Sequence, residues 1–157
     1  TVPMDLEFVG LDTGTRTAPA QANTAPLPHE NERAARFRDL LGEEPTAEHR
    51  RELGDLLFAS HAAYVASGRG HHTTDLIVDE ARKRRDKGGA VLGAKTTGRG
   101  GGGTVVLLGE RGKVWYEALR IKKALLEATG HSAHIFRWSS PGALSFGTIE
   151  LSPTGAS

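Results

Sequence analysis

The sequence predicts an α+β fold in which a mostly antiparallel sheet is covered by helices on one face. The order of the elements predicts this class. Helical patterns fill much of the first half, and the second half has the order strand, glycine loop, strand, helix, strand, strand. A length of 157 residues is enough for one domain of ordinary size.

The composition excludes several classes of protein. Hydrophobic residues make up 38% and charged residues 25%, which predicts a folded chain. Twenty Lys and Arg against nineteen Asp and Glu give a net charge of +1, which argues against a broad surface for nucleic acid or membrane. The absence of cysteine excludes disulfides, thiolate metal sites and a cysteine nucleophile. We therefore expect neither nucleic acid nor a membrane as a partner.

The chain shows no targeting or membrane signal. No run of about 18 apolar residues is present, and no basic segment followed by an apolar one stands at the N-terminus. The expected location is the cytoplasm. The chain begins at Thr1 rather than Met, which suits a processed product or a piece of a longer chain.

The first strand is predicted at Leu6–Leu11, where an apolar run ends in a turn at Asp12–Gly14. Thr17–His29 is interpreted as a loop or linker, because prolines and alanines replace any periodic pattern. A helix is then predicted from about Asn31 to Leu41, with Gly42 as its stop.

Two more helices are predicted before the strands of the second half. Thr46 is the expected N-cap of the first, which ends at Gly68 and Gly70. Its apolar stripe comprises Leu53, Leu56, Leu57, Ser60, Ala63 and Tyr64. Thr73 is the expected cap of the next, which closes with the basic run Arg82–Lys87. Cations suit a helix C-terminus, and nucleic-acid contact is the alternative for this run.

The second half begins with strands at Ala90–Thr96 and Thr104–Leu108, on either side of the glycine-rich loop Thr97–Gly103. A helix follows from about Lys113 to Thr129, with Gly130 as its C′ residue. Its predicted inner face comprises Trp115, Ala118, Leu119, Lys122, Leu125 and Leu126. The last strands, at Ala133–Trp138 and Phe146–Leu151, are joined by a turn at Pro141–Gly142.

The glycine loop is the strongest candidate for chemistry. Glycine permits positive φ and lets backbone N–H groups approach a phosphate closely. The segment is not a Walker A loop, because Ala94 separates Gly93 from Lys95 and no upstream glycine has the required spacing before a helix. Phosphate contact and a mobile hairpin tip are both left open at this point.

Asp12–Thr15 has three interpretations. Asp-Thr-Gly after a strand resembles the turn of aspartic proteases, and Gly10–Thr15 resembles the first phosphate loop of actin-like ATPases. Both need mostly β surroundings, whereas an Ala/Pro-rich segment and then a helix follow in this chain. The simpler interpretation is a turn in which Asp12 bonds its own backbone.

The seven histidines give no metal-ligating pattern. His71 and His72 are adjacent and cannot share one helix face. His61, beside the apolar stripe, is expected to be a half-buried core residue with its ring nitrogens satisfied. Ser139–Gly142 is expected to be a turn, because no base is positioned for a serine nucleophile.

Four segments then stand in a recognisable order: Gly10–Arg16, Ser60–Val78, Gly93–Val105 and Ala128–Gly147. The third has the sequence Gly-Ala-Lys-Thr-Thr-Gly-Arg-Gly-Gly-Gly-Gly-Thr-Val. Together they resemble the C-terminal half of a sugar kinase of the GHMP superfamily, closest to plant L-arabinokinases and galactokinases. The resemblance covers nearly the whole chain.

The resemblance implies a ferredoxin-like C-terminal kinase domain at 31–157, preceded at 1–30 by a strand, turn and linker from the end of the N-terminal half. It implies ATP and Mg²⁺ as cofactors, a small-molecule sugar as substrate, and phosphoryl transfer to the anomeric hydroxyl. The catalytic base and the first phosphate loop lie in the family's N-terminal half. The expected partner is therefore that half or a second polypeptide, and no catalytic residue is assigned to this chain.

The resemblance also implies two groups of site residues. The loop near the phosphate and nucleotide comprises Lys95, Thr97, Gly98, Arg99, Gly100, Gly101 and Gly102. The residues near the sugar are Asp12, Gly14 and Arg16.

The sequence departs from the family pattern at four positions, one of which is Gly101 in place of the Ser of the third motif. Arg99 stands where the third motif has Gly, Arg69 replaces the Leu of Gly-Leu-Gly, and Thr24 falls where galactokinases carry a sugar-contacting Tyr. The retained order of the motifs favours part of an active sugar-1-kinase. The departures favour a degenerate, non-catalytic half that binds a nucleotide, a sugar phosphate or a protein.

Overall fold

The computed structural model describes residues 3–17 and 26–137, which form one sheet and its helices. In chain order the elements are β1 (Leu6–Arg16), α1 (Glu30–Leu40), α2 (Ala47–Ala66), α3 (His72–Asp86), β2 (Val91–Thr96), β3 (Gly102–Glu110), α4 (Val114–Thr129) and β4 (His134–Arg137).

The strands form an antiparallel sheet in the order β2-β3-β1-β4. Val9 of β1 lies opposite Leu107 of β3 on one side and Arg137 of β4 on the other. The predicted α+β class with an antiparallel sheet is therefore confirmed. The strand predicted at Phe146–Leu151 and the turn at Pro141–Gly142 lie outside the described residues.

The division of the chain at residue 30 stays a prediction. In the described residues β1 is an interior strand, hydrogen-bonded to both β3 and β4. Most of the linker predicted at Thr17–His29 lies outside the described residues, and α1 begins at Glu30.

The main hydrophobic core lies between one face of the sheet and helices α3 and α4. Because successive side chains of a strand point to opposite faces, Val9 and Leu11 share this face with their partners Leu107 and Val105. The helices contribute Ile77, Val78 and Ala81 from α3 and Val114, Ala118, Ile121 and Leu125 from α4. Helices α3 and α4 therefore cover this face of the sheet.

Helix α2 packs against the edge strand β2 through a contact between two glycines. A Cβ atom on Gly54 would overlap the backbone carbonyl of Leu92, and one on Gly93 would lie 2.5 Å from the Cα of Gly54. A second core cluster includes the residues beside Gly54 and comprises Leu6, Leu40, Leu53, Leu57 and Leu108. This close approach fixes α2 alongside β2, the strand that leads into the glycine loop.

Strand β1 continues beyond the predicted turn at Asp12–Gly14. Gly14 has a φ of 67°, and the register with β3 shifts between Asp12 and Arg16. Four residue steps on β1 lie opposite two on β3, so this bulge lets the strand absorb two extra residues and resume pairing. The prediction that the strand ends at Leu11 is therefore wrong, and Arg16 lies opposite Gly102.

The buried face of α4 differs from the predicted inner face by one residue, which corresponds to a rotation of about 100° around the helix. Leu119 and Leu126 are 43% and 45% exposed, whereas Ile121 and Leu125 are fully buried. Two apolar rows run along this helix, and periodicity alone does not say which row faces the sheet. The prediction is wrong for Leu119 and Leu126, while the stop at Gly130 is confirmed by its φ of 74°.

Of the two N-caps predicted for the central helices, one is confirmed and the other is wrong. Thr46 caps α2 as predicted, since its hydroxyl accepts from the backbone N–H of His49 at 3.1 Å. The cap of α3 is His71 and not Thr73, because the His71 ring accepts from the Thr73 N–H at 3.3 Å. Thr73 instead lies fully buried inside the first turn. Across the described ranges, no helix is both long and apolar enough to cross a membrane.

Replacing Gly54 by Ala should destabilise the domain, although alanine favours helices. The added methyl group meets backbone atoms of β2, which cannot rotate away, so we expect a loss of about 2 kcal/mol and a fall in Tm of about 6 °C. Thermal unfolding followed by circular dichroism measures this. Ala59→Gly, at an exposed position of the same helix, is the control and should cost no more than about 1 kcal/mol. An unchanged Tm for Gly54→Ala would contradict the close contact.

Candidate functional site

The loop between β2 and β3 has a backbone that only glycine adopts easily. Its glycines have positive φ, namely Gly98 78°, Gly100 85° and Gly101 75°, and positive φ continues at the first two residues of β3, Gly102 103° and Gly103 89°. Arg99 interrupts the series with a negative φ, because His29 is the only non-glycine with positive φ in the described ranges. Residues that alternate between these two conformations turn successive N–H groups toward one concave side, which is a common way to bind an anion.

Hydrogen bonds fasten the glycine loop to neighbouring segments. The Tyr64 hydroxyl donates to the carbonyl of Gly98 at 2.8 Å. The N–H of Gly101 donates to the carbonyl of Arg69 at 2.9 Å, and its carbonyl accepts from the N–H and hydroxyl of Thr17 at 2.9 and 3.1 Å. These bonds at both sides of the tip favour a held loop over a mobile hairpin tip.

Lys95 lies at the entrance to the loop and is half-buried. Its ammonium is 3.0 Å from a carboxylate oxygen of Glu30 and 5.6 Å from the centre of the Tyr64 ring. Burial alone would raise the pKa of Glu30, but hydrogen bonds from Ser60 and Lys95 outweigh it and lower that pKa. Glu30 is therefore charged at neutral pH, and it holds the Lys95 ammonium near the loop.

Asp12 and Arg16 form a bidentate ion pair at the end of β1. The two guanidinium–carboxylate distances are 2.9 and 3.1 Å, and the Gly14 N–H donates to the same carboxylate at 2.9 Å. The hydrogen bonds from Arg16 and from Gly14 lower the pKa of Asp12 to about 2. Asp12 is thus an ionised hydrogen-bond acceptor at neutral pH, and not a general base tuned near pH 7.

The ion pair and the glycine loop lie side by side. A Cβ atom on Gly103 would be 3.4 Å from a guanidinium nitrogen of Arg16. The buried Thr13 hydroxyl donates to the carbonyl of Gly103 at 3.0 Å. The structure therefore brings the two predicted groups of site residues together at one end of the β1–β3 pair.

A chain of hydroxyl groups continues from this point to the start of α3. The hydroxyls of Thr13 and Thr15 are 2.8 Å apart, and those of Thr15 and Thr73 are also 2.8 Å apart. The His71 ring nitrogen lies 2.8 Å from the Thr73 hydroxyl. This network was not predictable from the sequence, because threonines on a strand and at a helix start carry no shared motif.

His61 is a core histidine with both ring nitrogens engaged, as predicted, but it is buried rather than half-buried, since only 6% of it is exposed. Burial lowers the pKa of His61, while the charge of Asp75 acts in the opposite direction. The neutral ring fits its contacts, in which Nε2 lies 3.3 Å from Asp75 and Nδ1 lies 3.1 Å from the Thr96 hydroxyl. Within 3–17 and 26–137, no three acidic or histidine side chains converge on a metal position.

The basic run at the end of α3 packs against its own neighbours. The guanidinium carbons of Arg82 and Arg85 lie 4.1 and 4.8 Å from the centre of the Phe58 ring. Arg85 also pairs with Asp55 at 2.5 Å, and Lys83 pairs with Glu80 at 2.8 Å. These contacts favour the helix-terminus interpretation over nucleic-acid binding.

A cavity of about 340 Å³ lies at the opposite end of β3 from the glycine loop, and its lining includes Glu110 and Glu117. Glu110 pairs with Leu6 at the start of β1. Glu117 already accepts from Arg84 and Arg120 at 3.2 and 3.1 Å. The candidate site and this cavity are therefore separate places.

Three comparisons with known proteins were informative to different degrees. No family model matches the chain. It is 35% identical over 129 residues to L-arabinokinase of Arabidopsis thaliana, which covers 78% of this chain and 12% of that protein. The chain is a GHMP kinase-like domain.

Solved kinases share the fold of this kinase-like domain. Galactokinase of Lactococcus lactis, solved with galactose, has a TM-score of 0.58 at 21% identity over 85% of this chain and 45% of its own. Mevalonate kinase of L. major, solved with R-mevalonate, has a TM-score of 0.62 at 22% identity over 87% of this chain and 43% of its own. This chain thus spans less than half the length of L-arabinokinase and of each of these two kinases.

Sequence reasoning missed two residues that hold the loop of the kinase-like domain. Tyr64 belonged to the predicted apolar stripe of α2, and Arg69 was only a departure from a motif. The available signal was the glycine after the helix: Gly68, with a φ of 75°, turns the chain so that Arg69 meets the loop.

The substitution Asp12→Asn should lower the free energy of unfolding of the kinase-like domain at neutral pH. The folded-state pKa of Asp12, about 2, lies below its ordinary 3.8, so the stabilisation is present above pH 3.8 and is lost as the pH falls through 2. Because Arg16 is 61% exposed, we discount for solvent screening and expect about 1 kcal/mol. Urea unfolding of both proteins between pH 7 and pH 2 measures the difference.

The matched control for this substitution is Asp39→Asn, which removes an exposed ion pair with Arg38 on α1. It should change the unfolding free energy by less than about 0.5 kcal/mol. A difference between Asp12→Asn and wild type that stays constant down to pH 2 would show that the Asp12 carboxylate is not the source.

Proposed function

We propose that this chain is the C-terminal portion of an ATP-dependent sugar-1-kinase, similar to arabinokinases and galactokinases. Together with an N-terminal half, it phosphorylates the anomeric hydroxyl of a monosaccharide in the cytoplasm. Residues 1–30 are the strand, turn and linker at the end of that half, and 31–157 are the C-terminal domain. Similarity to L-arabinokinase supports this assignment.

One observation carries the proposal: a held glycine loop and an ionised Asp12–Arg16 pair adjoin at one end of the sheet. The sign of φ alternates over Gly98, Arg99 and Gly100, and a backbone of that kind can turn N–H groups toward phosphate oxygens. The ion pair offers carboxylate and guanidinium groups, which suit sugar hydroxyls. A phosphoryl-transfer site needs both kinds of group within reach of one another.

The residues fit a triphosphate better than they fit a metal ion. Positive φ at Gly98 and Gly100 and the nearby ammonium of Lys95 suit a phosphate chain. The Asp12 carboxylate is already engaged by Arg16, and the part of the chain that the structure describes holds no group of metal-ligating residues. We therefore assign the Mg²⁺ ligands and the catalytic base to the N-terminal half.

The contribution of this chain to the reaction is binding and orientation. ATP supplies the phosphoryl group. The loop residues Lys95, Thr97, Gly98, Arg99, Gly100, Gly101 and Gly102 bind the phosphates. Asp12, Gly14 and Arg16 line the approach to the sugar, where Asp12 stays ionised and keeps the Arg16 guanidinium in place. Positioning and charge stabilisation account for most of the catalysis in phosphoryl transfer.

Two observations favour a second function. Arg99 projects from the loop at the position where the motif has glycine, and Glu30 already holds the Lys95 ammonium. A loop with these features suits a non-catalytic kinase half that binds a nucleotide, a sugar phosphate or a protein.

The decisive experiment isolates the protein from its source and combines native mass spectrometry with an assay. We expect this sequence to occur in a species well above 16.7 kDa, because an N-terminal half is bound to it or continuous with it. That species should form ADP only when L-arabinose, galactose or another monosaccharide is added. A species of 16.7 kDa, or twice that mass, without sugar-dependent ADP formation would overturn the kinase and leave the binding module.

A further inference from the structure

We propose that the outward face of α4 is a docking surface for an amphipathic helix of a partner protein, and that this partner helix carries carboxylates beside its apolar side chains. The inference goes beyond the proposed function, because it concerns the side of α4 that points away from the sheet. The glycine loop and the Asp12–Arg16 pair take no part in it.

Three large apolar side chains lie exposed along α4. Tyr116, Leu119 and Leu126 are 61%, 43% and 45% exposed. Of the six large apolar side chains that are exposed in the described residues, these are three, so exposed apolar surface is concentrated on this helix. Their spacings of three and seven residues place them in one row about 15 Å long, to be called the α4 row. Isolated apolar residues are ordinary on a protein surface, whereas a contiguous set is typical of an interaction site.

The packing of α4 against the sheet does not need the α4 row. Its opposite side already contributes Val114, Ala118, Ile121 and Leu125, all fully buried in the main core. A helix that packs on one side only has one apolar stripe and a polar outer face. The second stripe is therefore surplus to the described fold and suits contact with another molecule.

The cavity of about 340 Å³ adjoins one end of the α4 row, because Tyr116 also lines it. A Cβ atom on Gly89 would lie 3.3 Å from a carboxylate oxygen of Glu117, so glycine at this position keeps the cavity open. A row that ends at a cavity gives a partner helix a place to anchor one side chain. Binding energy in helix-in-groove interfaces is concentrated at such anchors.

Positive charge predominates on the outward face of α4. Lys123 lies within the α4 row, and Arg120 and Lys122 flank it on either side. Lys123 lies 3.7 Å from Glu127, and the two side chains are 75% and 65% exposed. Because an exposed ion pair contributes little free energy, the Lys123 ammonium can pair with a carboxylate of a partner instead.

The buried carboxylate behind the α4 row does not cancel this charge. Glu117 accepts from both Arg84 and Arg120, at 3.2 and 3.1 Å, and the pair Lys113–Glu110 beside the cavity is neutral. Four cations therefore stand against two carboxylates: Arg84, Arg120, Lys122 and Lys123 against Glu117 and Glu127. This excess favours a partner helix with Asp or Glu beside its apolar residues, since complementary charge selects partners and speeds association.

Two other occupants match the α4 row less well. If two copies packed antiparallel about a two-fold axis, with Leu119 against Leu126 of the other copy, the same register would set Lys122 against Lys123. Like charges that face each other across an interface suppress such a pairing. Residues 138–157 of this chain contain a single carboxylate, so they supply little of the complementary charge.

Fluorescence anisotropy with two labelled peptides, each of about five helical turns, tests the proposal. Both peptides have leucines at heptad a and d positions. One has glutamates beside this stripe, and the other has lysines there. At low salt the glutamate peptide should bind the chain at least about tenfold more tightly than the lysine peptide, and its affinity should fall as salt is added.

Variants of the chain locate the peptide. Leu119→Gln and Leu126→Gln should each weaken binding of the glutamate peptide about tenfold, because they remove apolar surface and keep helix propensity. Lys123→Gln should weaken it about threefold and reduce its salt dependence. Met4→Gln is the matched control, since it removes an exposed apolar side chain outside α4 and should leave the affinity unchanged. Thermal unfolding of each variant checks that it is folded.

Four results would overturn the docking surface. They are equal affinities for the two peptides, absence of binding of the glutamate peptide at submillimolar concentration, unchanged affinity in both leucine variants, and a loss in Met4→Gln as large as theirs. Sedimentation velocity tests the second copy, and a dimer that Leu119→Gln disrupts would assign the α4 row to self-association instead. Binding to vesicles of phosphatidylcholine and phosphatidylserine that the same variant abolishes would assign it to a membrane. Either result would also overturn the acidic partner helix.

Discussion

The pairing of β1 with β3 is the interaction on which the candidate site depends. It sets Asp12 opposite Thr104 and Arg16 opposite Gly102, so that the ion pair of one strand adjoins the glycine loop that enters the other. The bulge at Gly14 is what allows this, because the strand absorbs an irregularity and still resumes pairing. Buried side chains on these two strands, such as Val9 and Leu107, fix the register of the pairing.

A second constraint holds the loop from the other side. The contact between Gly54 and Gly93 brings α2 close to β2. The end of this helix then supplies Tyr64 to the loop, and the turn after it supplies Arg69. A loop held in this way loses little conformational entropy when a ligand binds, which favours affinity.

Much of the fold was predictable because its signals are local. The apolar runs of β2 and β3, the Thr46 cap and the stop at Gly130 each depend on a few neighbouring residues, and the structure confirms them. The errors arose where two local patterns compete. Asp12–Gly14 has the composition of a turn but lies in a strand, and α4 has two apolar rows of which only one meets the sheet.

The candidate site was predictable in part, and for a different reason. The glycine loop was found from its composition, whereas Asp12, Gly14 and Arg16 were joined to it only through a motif resemblance, because spacing alone does not connect them. Tyr64 and Arg69 were missed because their roles depend on tertiary contacts between α2 and a loop some 30 residues away. The tyrosine hydroxyl that reaches the Gly98 carbonyl looks, in sequence, like any aromatic residue on a helix stripe.

The most direct test of this account is a titration of the ¹⁵N-labelled chain with ATP, followed by amide chemical shifts. The account predicts that the largest shifts fall on Gly98–Gly102 and Arg69, with smaller ones on Asp12 and Arg16. Shifts confined to the cavity around Gly89 and Glu117, or no shifts at millimolar ATP, would contradict the glycine loop as the phosphate site.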